Sequence, residues 1–250
     1  MTKPTILLIT GAARSGTSAI TNLLNRHPAC AIGMERYKLY LKEAASFSES
    51  LFSKDRFLEI RSTDTNILPS RPGVAARIES FREKYEDCSC VGDKIPNRMR
   101  MFGEIMIVCQ RVKVIYMLRD VSSVAASWQR RAGNEADSWS EALDYKAAVA
   151  VWNNNNEAAF EILSSELKIS ERFLVLSYES FFSGDSDAFD ALVRFLSLDP
   201  TPIREPWKTS VETYQKKIKN KPTCLSSAQL EYVSEISDSK TYGWLANRFS

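Results

Sequence analysis

Residues 5–24 read TILLITGAARSGTSAITNLL: an apolar run, a glycine-bounded loop and a helical stretch within twenty residues. Ile6-Leu7-Leu8-Ile9 is continuous and apolar, the pattern of a parallel strand buried on both faces. A helix begins near Thr17. Between them lies Gly11-Ala12-Ala13-Arg14-Ser15-Gly16-Thr17-Ser18. Its small residues let the backbone wrap an oxyanion, and the N–H groups of the loop and first helical turn point at it. The spacing is that of a phosphate-binding P-loop, GxxxxGK[ST], with Thr17 where the lysine belongs. That lysine serves the β- and γ-phosphates of a nucleotide. With Arg14 in the loop instead, a 5′-phosphate carrying one further anionic group fits better than a nucleoside triphosphate with magnesium.

Outward from this stretch, strands and helices alternate. Residues 35–60 carry helical spacing through Tyr37, Tyr40, Leu41, Phe47 and Leu51. With Phe52, the aromatic members could line an acceptor pocket, although the spacing favours core packing. Pro72 opens a helix over 74–87, 88–92 reads as a weak strand, 98–110 as a helix and 112–118 as a strong strand. Asp120 is placed to cap a helix over 121–132. One long helix is predicted over 140–168, with Trp128 and Trp152 in the core. A last strand covers 173–176, and an amphipathic helix over 185–198 is stopped by Pro200 and Pro202. A basic segment through Lys216, Lys217 and Lys219 and a short helix near 226–237 complete the chain. The alternation predicts an α/β fold, with a P-loop-type, mostly parallel sheet flanked by helices, in one domain over residues 1–250.

Composition narrows the functional classes. With 44% hydrophobic and 26% charged residues among 250, a disordered or collagen-like chain is excluded. The net charge of +2 gives no bulk attraction to nucleic acid or membrane. No apolar run approaches the roughly 20 residues of a membrane span. The N-terminal stretch is too short for a signal peptide, so a cytoplasmic protein is expected. The five cysteines are odd in number and form no CxxC pair, and Cys88-x-Cys90 with one histidine in the chain is a poor metal site. That histidine, His27, sits in an Arg-His-Pro turn and reads as structural rather than as a base.

A second motif, VIYMLRDVSSVAASWQRR over residues 114–131, puts Arg119 at the mouth of a strand and Ser127 eight residues on. Arg131 lies one helical turn beyond Ser127. An arginine fork with a serine hydroxyl suits a second phosphate. Asp120 either caps the helix or serves as a magnesium carboxylate.

Together these residues resemble the sulfotransferase superfamily that uses 3′-phosphoadenosine-5′-phosphosulfate (PAPS). The RSGTS loop is similar to its 5′-phosphosulfate-binding loop, which implies cofactor contacts from Arg14, Ser15, Gly16, Thr17 and Ser18. Arg119 with Ser127 is similar to its 3′-phosphate pair, and Leu176-Ser177-Tyr178-Glu179 resembles the Tyr-Glu pattern at a later strand end, which adds Tyr178. The resemblance is greatest to the tyrosylprotein-sulfotransferase branch and its bacterial relatives: Arg14, then His27-Pro28, then Glu35 keep that branch's offsets. GDKIPN resembles its Lys-x-Pro element, which implies Lys94 as the catalytic lysine, and Arg131 matches a further 3′-phosphate contact. Lys216 and Lys217 match basic C-terminal residues that cover the cofactor. The resemblance spans roughly residues 5–200. It departs at Met34-Glu35-Arg36, where that branch pairs two acidic residues, and in the absence of a membrane anchor and of the Golgi enzymes' cysteine pattern. These departures argue against protein tyrosine as acceptor.

The implied reaction moves a sulfuryl group from PAPS to a hydroxyl, leaving PAP (3′-phosphoadenosine 5′-phosphate). Glu35, read as following the first helix on the open side of the loop, is the general base. Arg14 and Lys94 meet the charge that grows on the leaving phosphate, and no metal is required. The acceptor is a hydroxyl on a small molecule, glycan, lipid or peptide, held by loops near 36–72 and 134–145. Two alternatives stand beside this: a P-loop kinase that draws on Lys94 and on Asp120 or Asp93 for magnesium, and a non-catalytic nucleotide-binding module.

Overall fold

A computed structural model describes residues 3–165, 169–219 and 224–247. In chain order the elements are β1 (Thr5–Thr10), α1 (Thr17–Leu24), β2 (Cys30–Met34), α2 (Lys54–Leu58), α3 (Val74–Lys84), β3 (Cys90–Lys94), α4 (Met99–Val108), β4 (Val112–Leu118), α5 (Val121–Ala132), α6 (Tyr145–Ser164), β5 (Phe173–Ser177), α7 (Tyr178–Ser183), α8 (Ser186–Leu196), α9 (Thr201–Lys219), α10 (Ser227–Ile236) and α11 (Ser239–Asn247). Among the described residues, four short 3-10 turns lie between them.

The five strands form one sheet in the order β2-β3-β1-β4-β5, and every pairing is parallel. β1 is central, so the loop that follows it opens in the middle of the sheet's carboxyl edge, where ligands of open α/β sheets bind. The strand alternates between two cores. Ile6 and Leu8 face a layer holding Phe102 and Ile105 of α4 and Ala159 of α6. Leu7 and Ile9 face one holding Ile20 of α1, Phe181 of α7, Phe189 of α8 and Trp207 of α9. Burial on both faces explains the unbroken apolar run.

The structure corrects several sequence expectations. Residues 35–60 are not a helix: they hold two 3-10 turns and the five-residue α2. Their buried aromatics belong to an irregular segment held by Arg36, whose side chain donates to Asp64 and to the carbonyls of Phe57, Arg56 and Glu59. Tyr37 and Phe52 are core, whereas Tyr40 is exposed. β2 is a strand the sequence reading did not contain. The long helix is confined to Tyr145–Ser164. The segment beyond Pro200 is α9 rather than a basic coil: Asp199 accepts from Thr201 N, and Pro202 falls in the first turn, where a missing N–H costs nothing. Pro206 lies inside the helix, and Ile203 and Trp207 bury its inner face. Four cysteines are buried, Cys224 is exposed, and all are free thiols.

Candidate functional site

The loop residues 11–18, Glu35, Lys94, Arg119 and Tyr178 fall at the carboxyl ends of the five strands, whereas Ser127 and Arg131 lie along α5. After β1, Gly11 takes φ +149°, and a Cβ there would lie 2.5 Å from the Met117 carbonyl oxygen. Arg14 is left-handed at φ 78°. Gly16, at φ +91°, is the N-cap of α1 and offers no side-chain cap. A Cβ on Gly16 would also meet the Tyr178 ring at 2.3 Å, so the loop and the Tyr-Glu strand end are packed directly together. The leading N–H groups of α1 are left for an anion, with the positive end of the helix dipole behind them. Ser15 Oγ is buried without a hydrogen-bond partner, Thr17 is buried and Ser18 is exposed.

The loop is pinned from three sides. Asn97 Oδ1 accepts from Ala13 N at 2.7 Å, and Asn97 N donates to Gly11 O at 2.9 Å. Trp128 Nε1 donates to Ala13 O at 2.8 Å. Arg119 donates to Arg14 O at 2.6 Å, and Trp152 Nε1 holds the Arg119 carbonyl at 2.8 Å. The Arg119 guanidinium lies over the Tyr178 ring, 3.9 Å from its centroid, and its Nε is buried without a hydrogen-bond partner, 3.9 Å from Glu179 Oε1.

Arg14 Nε donates to Ser127 Oγ at 3.1 Å. Burial, then the nearby charges of Arg131 and Arg119, lower the pKa of Arg14. Three guanidinium groups are therefore gathered around an uncapped helix terminus, an arrangement that an anion relieves. Arg131 is held by Asp137 through two bonds of 2.6 Å and stacks on Trp139. Asp120 caps α5, accepting from Ser123 N.

Glu35 does not follow a helix: it follows β2, correcting the sequence placement. The β2–β3 register puts Met34 beside Lys94, and Glu35 N donates to Lys94 O at 2.8 Å. Lys94 Nζ lies 3.0 Å from Glu35 Oε1, and Lys38 Nζ 2.7 Å from Oε2. Burial pushes the Glu35 pKa up, but the two lysines outweigh it and hold the carboxyl below its ordinary value. Glu35 is left-handed at φ 58°, in a turn held by Asp93, whose two oxygens accept Arg36 N and Tyr37 N at 3.0 and 2.9 Å. Lys94 is buried rather than a surface lysine.

The family model for the sulfotransferase family matches residues 4–202, the stretch that carries all of these groups except Lys216 and Lys217. The chain belongs to the sulfotransferase family. Among solved structures it is similar to the sulfotransferase domain of the Synechococcus PCC 7002 olefin synthase (17% identity, 100% of this chain and 96% of that one, TM-score 0.55). It is similar also to mouse sulfotransferase SULT7A1 complexed with PAP (12% identity, 99% and 89%, TM-score 0.55). A third is sulfotransferase STF1 from Mycobacterium tuberculosis H37Rv (16% identity, 95% and 77%, TM-score 0.54). At these identities the likeness is one of fold. No curated protein matches the chain by sequence.

Within this sulfotransferase fold, α9 reaches the site through Tyr214, whose ring meets Tyr178 edge-on at 5.3 Å. A groove of about 320 Å³ between α1, α7 and α9, lined by Asn22, Arg26, Tyr178, Thr209 and Tyr214, adjoins the loop. Lys216 is exposed on α9, and the side chain of Lys217 lies outside the described residues. His27 is structural: Nδ1 accepts from Ala29 N and Nε2 faces Asp199 O at 3.0 Å. Sequence reasoning passed over Asn97, although an asparagine after proline is a turn signal. It also read Trp128 and Trp152 as core alone, and their ring N–H groups give no sequence signal of what they hold. No helix among the described residues is long and apolar enough to cross a membrane.

Proposed function

We propose that this sulfotransferase-family protein moves the sulfuryl group of PAPS to a hydroxyl acceptor, giving PAP. The observation that carries the reading is the cluster of Arg14, Arg119 and Arg131 around the uncapped terminus of α1. The buried, unpartnered Ser15 Oγ and Arg119 Nε fit it: both are polar groups for which phosphate oxygens would be partners. In this reading PAPS, when bound, supplies an activated sulfuryl group on a phosphate leaving group. The loop N–H groups with Ser15, Thr17 and Ser18 bind the 5′-phosphate. Arg119, Ser127 and Arg131 bind the 3′-phosphate, with Arg131 turning from Asp137. Tyr178 and the groove beside Tyr214 take the nucleoside, and Lys216, exposed on α9, is the described basic residue for its cover.

Glu35 accepts the proton of the acceptor hydroxyl as its oxygen bonds to sulfur. Arg14 and Lys94 stabilise the charge released on the phosphate. Lys94 has a second effect. While it is paired with Glu35 it helps Lys38 hold that carboxylate a weak base; once it turns to the phosphate, Glu35 regains part of its basicity, with Lys38 still on Oε2. The test is calorimetric titration with PAP and, separately, with ATP and magnesium, followed by transfer of labelled sulfate from PAPS. Tight PAP binding without metal and weak ATP binding are expected. Metal-dependent ATP binding with no response to PAP would overturn the reading in favour of a kinase.

A further inference from the structure

A second cleft, of about 360 Å³, lies between residues 42–43, the stretch from Asn97 to Glu104 at the start of α4, and Asn154 and Asn155 of α6. Lys42, Glu43, Asn97, Arg98, Glu104 and Asn155 contribute to its walls. Its volume lies within the roughly 300–1,000 Å³ of small-molecule sites. Its lining does not match the usual one. None of the lining residues is aromatic, and Met99 and Met101 are its apolar members.

The loop that forms one wall ties the cleft to the reacting groups. Asn97 holds Ala13 N and Gly11 O, Arg98 N donates to Thr10 Oγ1 at 3.1 Å, and Lys94 lies three residues before Asn97. The opposite wall is Asn155 of α6, nine-tenths buried, with Nδ2 spent on Val151 O. Arg98 Nε is buried with no hydrogen-bond partner. Among the described residues, the side chains of Lys42, Glu43, Arg98 and Glu104 form no ion pair, although both signs of charge line one cleft. Such a wall offers separate donors and acceptors, and the ligand that satisfies both at once is one whose hydroxyls each donate and accept. A phenol or a long-chain alcohol would leave these charged groups desolvated and unpartnered.

We infer that this cleft binds the acceptor, and that the acceptor is a polyhydroxylated molecule of the sugar class. The assignment of a reaction to it rests on the sulfuryl-transfer reading above; the binding itself does not. The test is saturation-transfer NMR on the full chain, with and without PAP, using glucose, N-acetylglucosamine, cellobiose, p-nitrophenol and dodecanol as probes. Lys42→Ala, Glu43→Gln and Glu104→Gln lie on exposed positions and serve as variants. The expected result is saturation of at least one sugar and a loss of about fivefold or more in the variants, with PAP affinity unchanged. Sugar binding that survives all three variants, binding of p-nitrophenol or dodecanol in place of the sugars, or no sugar signal at all would overturn the inference. If sugars bind as expected but PAP does not, the sulfuryl-transfer reading fails and the cleft stands.

Discussion

Arg119 concentrates several roles in one side chain. It donates to the loop carbonyl of Arg14, stacks on Tyr178 and holds Nε buried without a hydrogen-bond partner, at the edge of an ion pair with Glu179. Hydrogen bonds to charged groups contribute about 1.5–3 kcal/mol. Arg119→Ala is therefore expected to weaken PAP by about ten- to a hundredfold, and adenosine 5′-phosphosulfate, which lacks the 3′-phosphate, by much less. Equal weakening of both, measured by calorimetry, would remove Arg119 from the 3′-phosphate. Glu35→Gln should leave PAP affinity within about twofold while turnover falls by about 100- to 10,000-fold, the usual weight of a positioned base. A variant that turns over at the wild-type rate would show that the proton goes elsewhere. Gly16→Ala meets two obstacles at once, the left-handed backbone and the Tyr178 ring. It should lower Tm and abolish PAP binding together, whereas loss of binding at unchanged Tm would mean that the ring simply moves aside.

At the level of elements, the carboxyl end of β3 supports the turn that carries Glu35, the proposed base. Asp93 is enclosed, and burial pushes its carboxyl up to about 7 against the backbone bonds and the charges of Lys94 and Arg36. A carboxyl whose folded pKa exceeds its unfolded value of 3.8 binds more protons when folded. Its contribution to stability is thus full below about pH 4 and lost as pH rises through about 7. Between pH 5 and 8 the Tm of the wild type should fall relative to that of Asp93→Asn, and parallel curves would contradict the assignment. Elements also show where sequence reading succeeds. β1, β4 and α5 are legible because each is long, apolar or capped in a way that only local rules decide. β2, Cys30-Ala-Ile-Gly-Met34, carries little strand propensity of its own and exists by pairing with β3. The Glu35–Lys94 contact follows from that pairing, so it was invisible without it. The helical spacing over 35–60 comes from Tyr37, Leu41, Leu51 and the partly buried Phe47 reaching one core from an irregular backbone. Pro200 and Pro202 read as breakers, yet they open α9, and Pro206 within it is overridden by the burial of Trp207.

On the scale of the whole molecule, the family match ends at residue 202, but the packing does not. Leu245 of α11 is fully buried in the core that also holds Ile6 and Leu8, Val233 of α10 packs with Trp152, and Tyr242 lies 5.3 Å from the Trp152 ring. Leu245→Ala should cost about 2–5 kcal/mol, and a single unfolding transition shifted down as a unit is expected in calorimetry. Two separate transitions would mean that α10 and α11 fold independently of the sheet. The tryptophans have a further consequence. Trp128, bonded to the loop carbonyl of Ala13, meets Trp139 edge-on at 5.0 Å, and Trp139 lies beneath Arg131. The two indoles thus share one optical environment, and any anion that draws Arg131 from Asp137 uncovers one of them. The protein carries its own fluorophore pair beside the proposed 3′-phosphate contact, and a titration followed by intrinsic emission is expected to read occupancy without a label.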